Sequence, residues 1–589
     1  MASRNPATFR DLAGSAVTRE ASRLYWILGS ILGVALVLRV WGITFGLPYD
    51  FTPDEVHEIV RALKLGAGEY YWNPGKGGLY YLLFVEYGFL FVAWWLTGRV
   101  SGPTDFALQY VQDPTAFYIA GRVTVAVMSV VTCLVAYKIA ERLYDARTGL
   151  IAAFIAATAF YHAMWSHYIN VDTGMTLAMW GSLLVYMQYE SSRRLGLLVL
   201  AGVLAAVSTA FKTPGVLTVL TLLLAIATPF SKWASPRTVL REGAVVCFSA
   251  AAALLIIAPE HVGLFNTLKV QFSGLLADAT ELSESAQAAQ DFDSAVHDVT
   301  IYRGVSYITL LLSGTNIGLT LAAMLGAAAG IVRRHRWDII WAALVIVFVT
   351  VMSAADRPGT ERYLFPILPA LWLLGARGIG VIARGKTLPA VIAVAAITAF
   401  PIYKLIEQNY TWTQPDTRVI AKEWIEQNVP SGSKILMDGM RYRFIQSPPL
   451  NPDESTVARR VEGAGEEGDD LSRGVSGRAL ELYAEAMARV QGPKYDLHST
   501  VWGLAVQDLT HYVDECFDYV VTSSQIARIY IDTYEAEQYP DSARFYQELP
   551  KDPRFREIYS VEPVRWQVQG PAITVYEVLH PAGQCAARS

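Results

Sequence analysis

The sequence predicts a polytopic α-helical membrane protein, with about eleven transmembrane helices of ~20 residues each, followed by a C-terminal extracytoplasmic α/β domain. Three observations predict it. Hydrophobic residues make up 53% of the 589 and charged residues 17%, with a mean hydropathy of +0.30, which is poor material for a large water-covered surface. Apolar runs of bilayer-crossing length recur between residues 24 and 405 and none follows. Basic residues gather in alternate connectors between those runs.

Residues 1–23 are polar and of mixed charge, and no small-residue cleavage site follows the first apolar run, which therefore reads as a retained anchor. That run, 24–45, is preceded by Arg4, Arg10, Arg19 and Arg23, which places the N-terminus in the cytoplasm. The later runs are 115–140, 150–165, 173–189, 195–211, 215–229, 243–259, 304–332, 339–353, 363–382 and 388–404. Arg142 with Arg147, Arg193 with Arg194, Lys232 with Arg237 and Arg241, Arg333 with Arg334 and Arg336, and Arg384 with Lys386 fall in alternate connectors. A further apolar stretch, 79–96, would turn all of them outward if it also crossed. Glu86 and Gly88 interrupt it, and Trp94 and Trp95 suit an interfacial helix, so it reads as lying on the external face, with a twelfth span as the competing reading. The transmembrane domain is then 24–405. Its external loops are 46–114, 166–172, 212–214, 260–303 and 354–362.

From 406 to 589 charge, Pro and Gly become dense, the pattern of a soluble domain of ordinary size. Asp416 can cap a helix running to Asn428, with Pro430 closing it. Strands are expected at 434–438, 517–522 and 573–578, and a helix at 478–490. The acidic, Gly-rich stretch 462–477 reads as a solvated loop. Cys133 and Cys247 lie in apolar runs. Cys516 and Cys585 suit a disulfide and two separate thiols equally well. The net charge of −5, with no basic cluster interleaved with aromatics, gives nucleic-acid binding no support.

The candidate chemistry lies in the external loops. Asp54, Glu55 and His57 follow the first membrane exit closely, although acidic residues behind Pro53 also suit a helix start. Asp172 begins an apolar run just after His167, and Lys212 sits at the turn between two short spans, where it also suits headgroup contact. Arg39 and Arg122 lie inside spans near their outer ends; charges at that depth face a protein interior or a polar cavity, and structural ion pairs would serve as well as a site. Asp356, Arg357, Glu361 and Arg362 crowd the turn before Tyr363, with headgroup contact as the plainer role. Together, both acids and several cations share one face beside the plane where a lipid-linked phosphate would sit.

These residues resemble those of the GT-C membrane glycosyltransferases, especially the branch of protein O-mannosyltransferases and bacterial aminoarabinose transferases. The resemblance covers the membrane part: Arg39-Val40-Trp41-Gly42 leading to Pro53-Asp54-Glu55, then Arg122, Asp172, Lys212, and Arg362-Tyr363 followed by Pro366 and Pro369. The Asp-Glu motif is its most specific element. The resemblance implies that Asp54 is a general base, that Glu55 positions donor or acceptor, and that Arg122 and Arg362 meet the carrier phosphate. His57, His167, Asp172, Lys212, Glu361 and Tyr363 complete the expected substrate site. Two features depart from the pattern: 73–77 lacks the paired prolines of many members, and Asp172-Thr173-Gly174 is not a DxD metal motif, so no cofactor is predicted and a divalent metal stays an open alternative that no DxD motif supports.

The implied reaction moves a sugar from a polyprenyl-phosphate donor to a hydroxyl on an acceptor protein, lipid or glycan, at the outer face of the plasma membrane. A transporter or lipid flippase using Arg39 and Arg122 as intramembrane contacts is the rival, and a scaffold for envelope assembly, with its acids as helix caps, is a third reading.

Overall fold

The computed structural model describes residues 9–49, 51–52, 54–68, 77–228, 235–259, 307–354, 361–439, 445–466, 477–531, 535–582 and 585. Pro53, Lys232, Asp356, Arg357, the 260–303 loop and residues 73–76 and 467–476 lie outside them.

The chain is a multi-pass membrane protein built from α1 (Phe9–Val40), α2 (Glu55–Gly66), α3 (Gly78–Leu96), α4 (Pro103–Gln112), α5 (Thr115–Leu143), α6 (Ala146–Thr158), α7 (Phe160–Trp165), α8 (Val171–Ser192), α9 (Leu195–Phe211), α10 (Leu217–Ala227), α11 (Pro236–Ile257), α12 (Tyr307–Val332), α13 (Arg336–Ala354), α14 (Leu368–Ala383) and α15 (Thr387–Thr411). Each of the eleven apolar runs contributes at least one helix among the described residues. Among the described residues, six helices have the length and composition to cross a bilayer, α3 among them, and five more are shorter apolar helices.

Two runs are broken, each for a visible reason. The run 150–165 is two helices, because Ala159 is extended and the last carbonyls of α6, on Ala156 and Ala157, turn to the Arg39 guanidinium at 3.2 and 2.9 Å. A helix C-terminus leaves carbonyls without intrahelical partners, and a cation satisfies them. In α12, Asn316 leaves the helical region, and its side-chain oxygen accepts the Leu319 N–H at 2.9 Å, capping the half that follows. That half packs closely on α14, since a Cβ at Gly378 would lie 1.9 Å from the Ala322 carbonyl oxygen.

Three of the basic connectors meet one another. At one end Arg336 binds Glu190 at 2.6 Å, Arg142 donates to the Met187 carbonyl at 2.9 Å, Arg193 meets Glu242 at 3.4 Å, and Tyr144 donates to Asp338. The loops holding Asp54, Asp172, Lys212 and Arg362 meet at the other end. Helix α3 starts at this second end, where the Gly77 N–H donates to the Ala210 carbonyl at 2.8 Å. Its contacts with α5 stay within one stretch: Leu83 lies by Gly121, Glu86 accepts from Thr124 at 3.0 Å, Tyr87 donates to the Phe117 carbonyl at 3.1 Å, and Trp94 packs on Phe117.

The C-terminal region holds a five-stranded mixed sheet of β1 (Lys434–Met437), β2 (Asp496–Ser499), β3 (Tyr519–Ser523), β4 (Phe555–Val561) and β5 (Ile573–Val578), in the order β2-β1-β3-β5-β4. The first three pair parallel, and β5 joins β3 and β4 antiparallel. Helix α16 (Thr417–Asn428) starts at Asp416, which caps the Arg418 N–H at 2.9 Å. Two strands escape the sequence reading, β2 and β4: both are sheet edges, and the half-polar Asp496-Leu497-His498-Ser499 shows little strand alternation. Cys516 and Cys585 form a disulfide that ties the chain end to the start of β3.

Asp438, directly after β1, is fully buried and joins three elements: it accepts from Thr500 Oγ1 at 2.9 Å, the Ser523 N–H at 2.8 Å and the Tyr546 hydroxyl. Burial pushes its carboxyl up to about 6 despite those bonds. A carboxyl raised on folding holds a proton that the unfolded chain has released, so its contribution falls as pH rises from about 4 to about 6. Asp438→Asn keeps the acceptor oxygen without the charge. The melting temperature of this variant relative to the parent should therefore rise as pH goes from 4 to 7, measured by thermal unfolding of the full chain; a pH-independent difference would contradict the burial argument.

Candidate active site

After α1, Gly42 and Gly46 take positive φ of 81° and 72°, turning the chain so that the Ile43 and Phe45 carbonyls face inward. Arg122 of α5 donates to both through Nη1, at 2.7 and 2.9 Å, and its guanidinium lies 4.1 Å over the Phe45 ring. Its Nε and Nη2 hold Glu55 bidentately at 2.8 and 2.7 Å. Glu55 also accepts the Ile169 N–H at 2.9 Å and the Thr52 hydroxyl, so a carboxylate with room for about four bonds is saturated and fully buried. Expected beside the substrate, Glu55 and Arg122 instead lock the first loop to α5 and the 166–170 loop. Neither presents an open face.

Asp54 is different. It begins the helix but makes no side-chain cap, and it is exposed, paired with the Arg362 guanidinium of the 3-10 turn Glu361–Leu364. Arg362 lies 5.4 Å from the Trp165 ring and 5.9 Å from the Tyr363 ring. Burial alone would lower its pKa, but Asp54 and Asp172 together hold the guanidinium above its ordinary value. Asp172, buried in the first turn of α8, binds Lys212 at 2.8 Å, and the Lys212 ammonium sits 4.8 Å over Tyr363. Thus four loops far apart in sequence contribute Asp54, Trp165, Asp172, Lys212, Arg362 and Tyr363 to one cluster. Arg362 Nε and Trp165 Nε1 are buried there with no hydrogen-bond partner among the described residues. Two such donors are costly to bury empty and suit an incoming anion or hydroxyl.

Other expected residues stand elsewhere. His167 is buried under Trp412, with Nδ1 3.0 Å from the Ala163 carbonyl and Nε2 3.2 Å from the Trp41 carbonyl. Burial pushes its imidazole down to about 4, and both ring nitrogens are turned to backbone carbonyls of the protein. His57 is half-buried in the first turn of α2, and Glu361 half-buried beside Arg362. Arg39 has no carboxylate partner among the described residues: Ser129, three backbone carbonyls, Cys133 and His162 surround it. Trp165 was missed by sequence reasoning, because an indole at the end of an apolar run looks like any interfacial aromatic. Among the described residues, no group of three or more His, Cys, Asp or Glu is placed to share a metal ion.

Residues 118–260, from within α5 to just past α11, match the family model described as dolichyl-phosphate-mannose-protein mannosyltransferase. A comparison with curated proteins found no match. Among solved structures, the Archaeoglobus fulgidus oligosaccharyltransferase AglB, in complex with an inhibitory peptide and a dolichol-phosphate, is 12% identical with a TM-score of 0.45, over 93% of this chain and 74% of that one. ArnT from Cupriavidus metallidurans, bound to undecaprenyl phosphate, is 13% identical with a TM-score of 0.44, over 92% of this chain and 97% of that one. Over residues 118–260 the match agrees with the resemblance to protein O-mannosyltransferases read from the sequence.

The two arginines should separate by stability. Arg122→Ala leaves Glu55 buried and unpaired, a loss of about 3–5 kcal/mol. Arg362→Ala removes a pair whose acid is half exposed, a loss below about 1 kcal/mol. Thermal unfolding in detergent should show a large drop for the first and little change for the second; equal drops would refute the division between anchor and open site.

Proposed function

We propose that this protein transfers a sugar from a polyprenyl-phosphate donor to an acceptor hydroxyl at the outer face of the plasma membrane. The observation that carries the proposal is the exposed Asp54 carboxylate held against Arg362, with Lys212 and the empty Trp165 and Arg362 donors in the same cluster. The Asp54 carboxylate is the group placed to accept a proton. The names of the compared structures, one with dolichol-phosphate and one with undecaprenyl phosphate, agree with a lipid-phosphate carrier. The sorting of basic connectors to the opposite end supports an external site by the positive-inside rule, and a disulfide in the C-terminal domain suits an oxidising compartment. The confinement of α3 to one level of α5 supports a helix lying along that face, although its length would also allow it to cross.

The acceptor oxygen attacks the anomeric carbon from the side opposite the phosphate, the carbon–oxygen bond to phosphate breaks with its electron pair, and Asp54 takes the acceptor proton. The configuration at that carbon inverts. Negative charge grows on the departing polyprenyl phosphate, where Arg362 offers a planar fork and Lys212 a point charge. As the phosphate draws Arg362 toward itself, the cationic partner of Asp54 is shared, and the carboxylate becomes a stronger base at the step that needs one. Asp172 already has a cation in Lys212, so the reaction is proposed to need no obligatory metal. A flippase would use Arg39 and Arg122 as a path for a headgroup, yet both are enclosed by fixed carbonyls and, for Arg122, by Glu55.

Asp54→Asn should lower turnover about 100- to 10,000-fold while the purified variant still retains polyprenyl phosphate by native mass spectrometry. Near-normal turnover in that folded variant would remove Asp54 from the mechanism. Activity should also survive dialysis against EDTA, and a loss restored by added Mg²⁺ or Mn²⁺ would overturn the metal-free scheme.

A further inference from the structure

The stretch that carries Asp54 is held from two sides, one of them in the C-terminal domain. Arg418, in the first turn of α16, places its guanidinium 3.6 Å over the ring of Phe51. Its nitrogens all point back into the domain: Nε and Nη2 donate to Asp416 at 2.8 and 2.6 Å, and Nη1 donates to the Ile445 carbonyl at 2.7 Å. The support beneath is rigid as well. Thr417 donates to the Pro571 carbonyl at 2.6 Å, and Gly570, at φ +102°, sits so close that a Cβ there would lie 2.3 Å from Thr417 Oγ1. The cation is therefore a fixed part of the sheet domain, presented face-on to an aromatic ring.

Phe51 belongs to the membrane part, with its ring against Gly46, where a Cβ would lie 3.2 Å away. Thr52 comes next and donates to Glu55, which Arg122 holds. Phe51 is thus held by Arg418, and Glu55, with Thr52 bonded to it, by Arg122, while Asp54 adjoins Glu55. A few residues held at both ends keep little backbone freedom, and reaction rates are sensitive to misplacement on the ångström scale.

We propose that Arg418 is a positioning residue for the transfer reaction, acting through Phe51 so that the C-terminal domain sets where Asp54 stands. This rests on Asp54 being the proton acceptor. It gives that domain a role in every turnover, whichever acceptor it also meets.

The test uses the full-length protein in lipid nanodiscs. Hydrogen exchange of peptides spanning residues 46–66 should rise about ten-fold in Arg418→Ala and in Phe51→Ala, with α5 and α14 unchanged, and return to the parent rate in Phe51→Trp. With the polyprenyl-phosphate sugar fraction extracted from membranes as donor, both alanine variants should lose about ten- to a hundred-fold in kcat at an unchanged donor KM. The double variant should be no worse than the poorer single one, and Phe51→Trp should recover activity. Unchanged exchange around Asp54 in Arg418→Ala overturns the clamp, and faster exchange with an undiminished kcat overturns the positioning role. Asp54→Asn is measured beside them: if it alone is inactive, the failure belongs to this inference, and if it too turns over normally, the reading of Asp54 as the base has failed.

Discussion

The bidentate pair of Glu55 and Arg122 is the constraint on which the site depends. Two ions removed from water are stable only when their remaining hydrogen-bond sites are filled. Here the filling groups are the Ile43 and Phe45 carbonyls on one side and the Ile169 N–H and Thr52 hydroxyl on the other. Satisfying the pair therefore fixes the exit of α1, the start of α2, the outer end of α5 and the loop before α8 relative to one another. Asp54, next in sequence to Glu55, gains a defined place without itself being buried.

The same device recurs in a purely architectural form at Arg39. A guanidinium deep in an apolar bundle needs acceptors, and the broken end of α6 supplies them. The break sends α7 off in a new direction and returns Trp165 to the cluster of acids and cations. A cation that looked like a functional signal thus works one step removed from function, by shaping the helix whose far end reaches the site. Its counterpart at the open end is Arg362, which sits in a short 3-10 turn with an exposed acid and an orphaned N–H, and so has capacity left for a ligand.

The C-terminal domain is joined to the membrane part by more than its covalent link. Arg565 binds Glu407 and Tyr403 of α15, Tyr410 packs on Trp566, and Trp412 stacks on Phe45 at 4.7 Å. These contacts bring the sheet domain beside the loop that carries Asp54. Mixed charge and aromatic contact suit a junction at the height of lipid headgroups, where neither water nor hydrocarbon dominates.

Much of the architecture was legible in the chain itself. Hydrophobic runs mark helices because a bilayer tolerates only hydrogen-bonded backbone, and the alternation of arginine-rich connectors sorted the loops into two groups that meet at opposite ends. Asp416 announced its helix through a cap, a local interaction that needs no tertiary partner. The edge strands β2 and β4 were not readable, since pairing with a neighbour, rather than their own composition, makes them strands. The site divides in the same way. Sequence could bring Asp54, Asp172, Lys212 and Arg362 to one face, because the side of a loop follows from counting helices. It could not tell which charges were open and which were sealed. Glu55 and Asp54 are adjacent carboxylates, and Arg122 and Arg362 are both arginines near an outer helix end; only the packed structure decides that one pair is buried and saturated while the other keeps an exposed acid. Burial and hydrogen-bond saturation depend on residues 67 to 308 positions away, and no local pattern records them.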